Sequence, residues 1–174
     1  MSVICGAKIT LVEKVDLLEY AKVAARGSFE ATGEHSPTAL VRHGATLCIY
    51  STTFTGPSGA SPEVQGQKSS MAAFLVEQAK TADEIIFCCE GWTASLPADT
   101  PRSQLPVDLS KFDGREEVVM LRHSDPNGER MLQAKITRDG AGMPTLGEWS
   151  EIESEKEAGR FTGLFAKARQ HKVN

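Results

Sequence analysis

The chain has 174 residues, of which 40% are hydrophobic and 24% are charged. This composition is typical of a folded globular protein, and it excludes a disordered chain and a chain of membrane-spanning helices. The net charge of −4 argues against a general nucleic-acid binder. We therefore expect one domain over residues 1–174, with no membrane association and no nucleic-acid partner.

The first elements are a short apolar run over residues 2–11 and a helix over Leu11–Arg26. The short run fits either a strand or the lead into the helix. Apolar residues at three- and four-residue spacing predict the helix. Gly27 stands where a helix typically ends, so residues 28–37 are expected to form a loop.

The next elements are a hairpin and a second helix. Two runs of strand-forming residues, 39–43 and 46–54, flank a Gly-Ala turn and predict the hairpin. Ser61, followed by proline and glutamate, is typical of a helix start, and the helix is expected to continue to about Ala82.

The run from Glu84 to Trp92 predicts the central strand of a sheet. Its residues are apolar on both faces until Glu90, as in a strand that is covered on both sides. The following segment, residues 93–114, is rich in proline and is expected to be a long surface loop.

The last part of the chain predicts three strands and a helix. Strands over 116–123 and 131–138 flank an Asp-Pro-Asn-Gly turn, and a short strand follows near 143–149. Ser154 and Glu157 form a capping box that predicts the start of the final helix. The apolar face of that helix contains Phe161, Leu164, Phe165 and Ala168.

These elements together predict a single-domain α+β fold. We expect a mostly antiparallel sheet of five or six strands with about three helices packed against it.

The N-terminal residues lack the basic and apolar regions of a signal peptide, so the cytoplasm is the expected location. The cysteines are then expected to be free thiols that pack as small apolar side chains. A zinc site would have to be assembled from His43, Cys48 and Cys88 or Cys89, without paired local spacing. A cysteine nucleophile would lie in an apolar strand and not beside a positive group. We therefore assign no catalytic residue, no metal ligand and no cofactor.

The end of the central strand is a candidate binding site. Glu90 and Trp92 end this strand beside the long loop, and Arg102 and Arg115 lie within or next to that loop. A tryptophan and arginines beside a loop are typical of a partner contact. The alternative is that Trp92 covers the edge of the sheet and Glu90 pairs with Arg102 or Arg115.

Four short motifs give the chain a family resemblance over residues 83–149. They are Cys89-Glu-Gly-Trp92, Gly114-Arg-Glu-Glu-Val-Val119, Arg138-Asp-Gly140 and Leu146-Gly-Glu-Trp149. In these motifs the chain resembles small uncharacterised α+β proteins of bacteria and their phages. The resemblance implies the strand order of this half of the chain and no particular activity.

Two hypotheses for function follow from the sequence. The first is a non-catalytic cytosolic protein that acts through a protein partner or through self-association, as an accessory factor related to those of phages. The second is a small hydrolase-type enzyme whose site forms around Glu90, His43, His123 and the cysteines. The two differ in whether a carboxylate, a histidine and a cysteine meet in one cleft.

Overall fold

A computed structural model describes residues 4–11, 13, 15–56, 59, 61–96, 99–101, 109–140, 143–152 and 160–170. These residues form, in chain order, β1 (Ile4–Thr10), α1 (Leu17–Thr32), β2 (Thr38–His43), β3 (Thr46–Ser51), α2 (Pro62–Gln78), β4 (Glu84–Thr93), β5 (Glu116–Ser124), β6 (Glu129–Arg138), β7 (Pro144–Ile152) and α3 (Leu164–Gln170). The strands make one sheet in the order β1-β3-β2-β4-β5-β6-β7, and each neighbouring pair is antiparallel.

The predicted α+β class is confirmed, and the predicted strand count is wrong. The sheet has seven strands instead of five or six. The additional strand is β1, which lies at one edge of the sheet and pairs only with β3. Residues Gly6–Thr10 of β1 are all exposed. Because this part of the strand has no buried face, its sequence lacks the alternation of apolar and polar residues that normally identifies a strand.

The central position of β4 is confirmed. It is the fourth of the seven strands, and its side chains alternate between two hydrophobic cores. Ile86 and Cys88 belong to the core beneath α1, while Ile85 and Phe87 belong to the core beneath α2 and α3. This alternation follows from the two-residue period of a strand.

The first helix begins later than the sequence predicts. It starts at Leu17, and the carboxylate of Asp16 accepts hydrogen bonds from the backbone N–H groups of Leu18 and Glu19 at 3.0 and 3.1 Å. Asp16 is therefore the N-cap, and the residues before it link β1 to the helix.

The same helix also ends later than predicted. It passes through Gly27 and ends at Thr32, and its C-cap is Gly33, which has a positive φ of 74°. Phe29 lies in the extra turns and is fully buried. Burying a phenylalanine stabilises the fold by about 1.5–3 kcal/mol, which outweighs the cost of about 1 kcal/mol for a glycine inside a helix.

The second helix and both hairpins agree closely with the predictions. Ser61 caps α2, which ends at Gln78 instead of Ala82. The β2–β3 turn contains Gly44 at a φ of 58°, and Asp125 accepts two backbone hydrogen bonds within the β5–β6 turn. These features are local in sequence and so are readable from it.

The final helix is shorter than predicted. It begins at Leu164, while residues 160–163 form a turn. Phe161 precedes the helix and stacks on Phe87 with a centroid distance of 4.3 Å. The predicted capping box of Ser154 and Glu157 lies outside the described residues.

The sequence predicts a loop over 93–114, but the first of these residues, Thr93, is the last residue of β4. The loop contains a short 3-10 turn at Leu109–Lys111, and residues 97–98 and 102–108 lie outside the described part.

Candidate functional site

The predicted binding residues Trp92 and Arg115 are in direct contact. The guanidinium carbon of Arg115 lies 5.0 Å from the centroid of the Trp92 ring. A second contact holds the arginine, because its Nη1 donates to the carbonyl of Phe112 at 3.1 Å. Trp92 is still 37% exposed. The end of β4 therefore presents the indole of Trp92 in a fixed orientation, with the guanidinium group of Arg115 over its face.

Glu90 lies on the same sheet face as Trp92, two residues earlier along β4. Its carboxylate accepts a hydrogen bond from the backbone N–H of His35. The alternative prediction that Glu90 pairs with Arg115 is wrong, because Arg115 stacks on Trp92 instead. Arg102 lies outside the described residues.

Burial raises the pKa of Glu90 above its usual value. The hydrogen bond from His35 opposes this shift, whereas the negative charges of Glu117 and Glu34 add to it. Glu117 faces Trp92 across the β4–β5 pair and forms an ion pair with Arg138 at 3.1 Å. Among the described residues, the surface around Trp92 therefore carries three carboxylates and two guanidinium groups.

Cys88 and His35 are neighbours beneath this surface. The sulfur of Cys88 is 3.5 Å from Nε2 of His35. Burial raises the pKa of the Cys88 thiol well above its usual value, and burial lowers the pKa of His35. Both changes favour the neutral forms and so disfavour the thiolate that a cysteine nucleophile requires.

Cys89 faces the opposite side of the sheet, where it packs against the core beneath α2 and α3. Burial raises its pKa to about 11, and the charges of Lys68 and Arg122 only partly offset this effect. Cys48 is buried in the same core. The buried Cys48 and Cys88 and the partly buried Cys89 thus pack against the two cores, as expected of small apolar side chains, and the side chain of Cys5 lies outside the described part.

The histidines of the enzyme hypothesis lie at the other end of the sheet. Nε2 of His123 is 2.8 Å from Oε1 of Glu84, and Nδ1 of His43 is 3.5 Å from the hydroxyl of Thr81. Glu84 and Glu90 are six positions apart on β4, which separates them by roughly 20 Å. The structure therefore does not bring Glu90 together with His43 and His123.

Glu84 is the centre of a charged cluster that the sequence analysis missed. It is buried, and it contacts both Arg42 on β2 and His123 on β5. The contact with Arg42 is a close ion pair, and Oε2 of Glu84 accepts no hydrogen bond within the described residues. A charged residue at the start of an apolar strand is the only sequence signal for this cluster.

An open cavity of about 360 Å³ lies beside this cluster, beneath the start of α1. Its polar lining consists of Asp16, Arg42, Glu84, His123 and Arg130, and its apolar wall comes from residues around Leu17. Nη1 of Arg42 donates to the carbonyl of Val15 at 3.1 Å. This hydrogen bond and the ion pair with Glu84 fix the guanidinium group from two sides.

Metal-binding geometry is not found in the described part of the chain. No three His, Cys, Asp or Glu side chains among those residues are grouped so that they could hold a metal ion. His43 and Cys48 lie toward α2, whereas Cys88 lies toward α1, so these three side chains point to opposite faces of the sheet.

No helix within the described ranges has the length and apolar character needed to cross a membrane. Comparison of the chain with models of protein families, with curated proteins and with solved structures found no match.

Proposed function

We propose that the chain is a non-catalytic protein-binding factor whose contact surface is centred on Trp92 and Arg115. The observation that carries this proposal is the partly exposed indole of Trp92, which the guanidinium group of Arg115 holds in place. Tryptophan and arginine are the residue types that most often dominate binding energy at protein interfaces. The stacking fixes the ring before a partner arrives, which reduces the entropy lost on binding.

The charges around Trp92 indicate the chemistry of the partner. Glu117 is neutralised by Arg138, whereas the carboxylate of Glu90 accepts its hydrogen bond from the backbone N–H of His35. Glu90 is also only partly buried. We expect a partner protein that covers the indole with an apolar side chain and places a lysine or arginine against Glu90.

The proposed location is the cytoplasm. Cys48, Cys88 and Cys89 are free thiols, which a reducing compartment maintains. The resemblance of residues 83–149 to small proteins of bacteria and their phages fits an accessory factor of this kind.

The test compares the tagged wild-type protein with Trp92→Ala in capture experiments from a bacterial lysate. Val23→Ala is the matched control, because Val23 is an apolar residue that is 72% exposed on α1. We expect a specific protein to be retained by the wild type and by the control and lost with Trp92→Ala. Equal capture by all three variants would contradict the proposed surface.

Self-association is a separate outcome, measured by light scattering of the purified protein. A dimer that Trp92→Ala converts to a monomer would identify a second copy as the partner. A monomer whose captured proteins do not depend on Trp92 would overturn the proposal.

The hydrolase-type enzyme is the second hypothesis, and the geometry gives it less support. Its candidate residues Glu90 and His123 lie at opposite ends of β4 and its neighbour β5. The raised pKa values of Cys88 and Cys89 disfavour a thiolate nucleophile. Hydrolysis of ester or peptide substrates that is lost in His123→Gln would favour this second hypothesis.

A further inference from the structure

We propose that the cavity beneath the start of α1 binds a small ligand through an oxyanion, either a carboxylate or a phosphate group. This site lies at the opposite end of the sheet from Trp92, so the inference goes beyond the proposed protein contact. It rests on the cavity and on the polar side chains of Arg42, Glu84, His123 and Arg130 that line it.

These four side chains form a row across adjacent strands. Arg42 pairs with Glu84 across β2 and β4, and His123 pairs with Arg130 across β5 and β6. The hydrogen bond between Glu84 and His123 joins the two pairs. Because paired residues of antiparallel strands share a face, all four line the same side of the sheet, beneath α1.

Hydrogen-bond donors exceed acceptors in this row. An arginine carries five N–H donors, and the described contacts of Arg42 engage only Nη1 and Nη2. Arg130 uses Nε and Nη2 for its ion pair with Glu151, at 3.0 and 2.8 Å. Among the described contacts, Nε of Arg42 and Nη1 of Arg130 are therefore left for a ligand.

The carboxylates near the cavity are each in contact with a cation or an N–H group, although Oε2 of Glu84 meets Arg42 only as an ion pair. Asp16 accepts from two backbone N–H groups of α1, and Glu84 is held between Arg42 and His123. A ligand that supplies acceptor atoms therefore suits the cavity better than one that supplies donors. A planar guanidinium group matches the two oxygens of a carboxylate or phosphate, which gives the ligand class.

The cavity also has an apolar side, formed by Leu17, Leu18 and Val15. Its volume of about 360 Å³ lies within the range of small-molecule sites. The near balance of positive and negative side chains in the lining predicts weak binding of a bare ion. We therefore expect a physiological ligand in which an oxyanion is attached to a small organic group.

The experiment is an NMR titration of the full chain, with inorganic phosphate and acetate as separate probes and sodium chloride at equal ionic strength as the control. The signals followed are the ring resonances of His123 and the side-chain resonances of Arg42 and Arg130. His35 and His43 lie away from the cavity and serve as internal references. Saturable shifts confined to the cavity with one probe identify the group that binds.

Two variants test the role of the guanidinium groups. Arg130→Ala is expected to weaken binding about ten-fold, since it removes charged hydrogen bonds. Arg138→Ala is the matched control, because both arginines lie on β6, both pair with a glutamate, and they are 52% and 47% exposed. The control is expected to bind like the wild type.

Glu151→Gln provides the opposite change. It releases Arg130 from its competing carboxylate, so binding is expected to strengthen by up to about five-fold. A purely structural role of Arg130 would not produce this gain. The proposal is overturned if neither probe gives saturable shifts at His123, if chloride gives the same shifts, or if Arg130→Ala and Arg138→Ala behave alike.

Discussion

Oε1 of Glu129 lies 2.6 Å from the backbone nitrogen of Gly163 and accepts its hydrogen bond. The same oxygen is 3.4 Å from the nitrogen of Leu164 and 3.2 Å from the hydroxyl of Ser124, and Arg122 pairs with the second oxygen. A side chain at the start of β6 therefore caps α3 from a distant part of the chain. The cap attaches this short helix to the sheet.

Glu129→Ala is expected to lower the free energy of unfolding by about 1–3 kcal/mol, because it leaves helix N–H groups and a buried serine without their acceptor. Urea unfolding monitored by circular dichroism measures the change. Glu116→Ala is the control, since Glu116 forms an exposed ion pair with Lys135, and it should cost less than about 1 kcal/mol. Equal losses in both variants would contradict the capping role.

Gly27→Ala is expected to stabilise the protein by about 0.5–1 kcal/mol. Gly27 lies inside α1, and an added Cβ meets no atom within 4 Å. Gly33→Ala is the comparison variant and is expected to destabilise the protein, because Gly33 has a positive φ and an added Cβ would approach Pro144 at 3.2 Å. Thermal unfolding should therefore show a higher melting temperature for Gly27→Ala and a lower one for Gly33→Ala. A destabilised Gly27→Ala would contradict the extended helix.

Arg115→Ala is expected to increase the quenching of Trp92 fluorescence by acrylamide, because the guanidinium group covers one face of the ring. The measurement uses a Trp149→Phe background, so that Trp92 is the only tryptophan. The stability change should stay below about 1 kcal/mol, since the contact is partly exposed. Arg138→Ala in the same background should leave the quenching unchanged. An equal increase in quenching in Arg138→Ala and Arg115→Ala would show that the stacking of Arg115 does not protect the ring.

The cysteines are expected to react slowly with a disulfide reagent in the folded protein. With a pKa of about 11, roughly one Cys89 thiol in a thousand is ionised at pH 8. Burial also raises the pKa of Cys88. Labelling in a Cys5→Ser background should be much faster in urea than in buffer. Fast labelling of Cys89 in buffer would show that its thiol is accessible and ionised.

The same pKa values predict how stability depends on pH. Folding raises the pKa of the Cys89 thiol, so the folded state favours the neutral form. The resulting contribution to stability is fully present below the unfolded pKa of about 9. For Cys89 this contribution is lost as the pH rises from about 9 to 11, by at most about 1.4 kcal/mol per pH unit. Cys89→Ser should reduce this alkaline loss of stability.

Local signals were sufficient to predict much of the fold. The Asp-Pro-Asn-Gly turn, the Ser61 cap and the doubly apolar β4 each depend on neighbouring residues, and the structure contains all three. The end of α1 was predicted wrongly because the burial of Phe29 depends on the sheet. The edge strand β1 is ambiguous in the sequence because its residues 6–10 are all exposed, so no buried face marks it as a strand.

The candidate site was predictable only in part. Residue type and position at a strand end indicate Trp92 and Arg115, but their stacking joins two sides of a long loop. His35 lies in a predicted loop, and nothing local indicates that it contacts Cys88 and Glu90. The cluster around Glu84 depends on the pairing of strands that lie far apart in sequence.

The pairing of β2 with β4 determines the order in which we expect the sheet to assemble. On one side of this pair, β2 pairs with its chain neighbour β3. On the other side, β4, β5, β6 and β7 pair in chain order. The residue pairs from Thr38–Cys88 to Arg42–Glu84 join these two halves and enclose α2 in the connecting segment. Because closing such a long segment costs chain entropy, the halves should form early and their union should limit the folding rate.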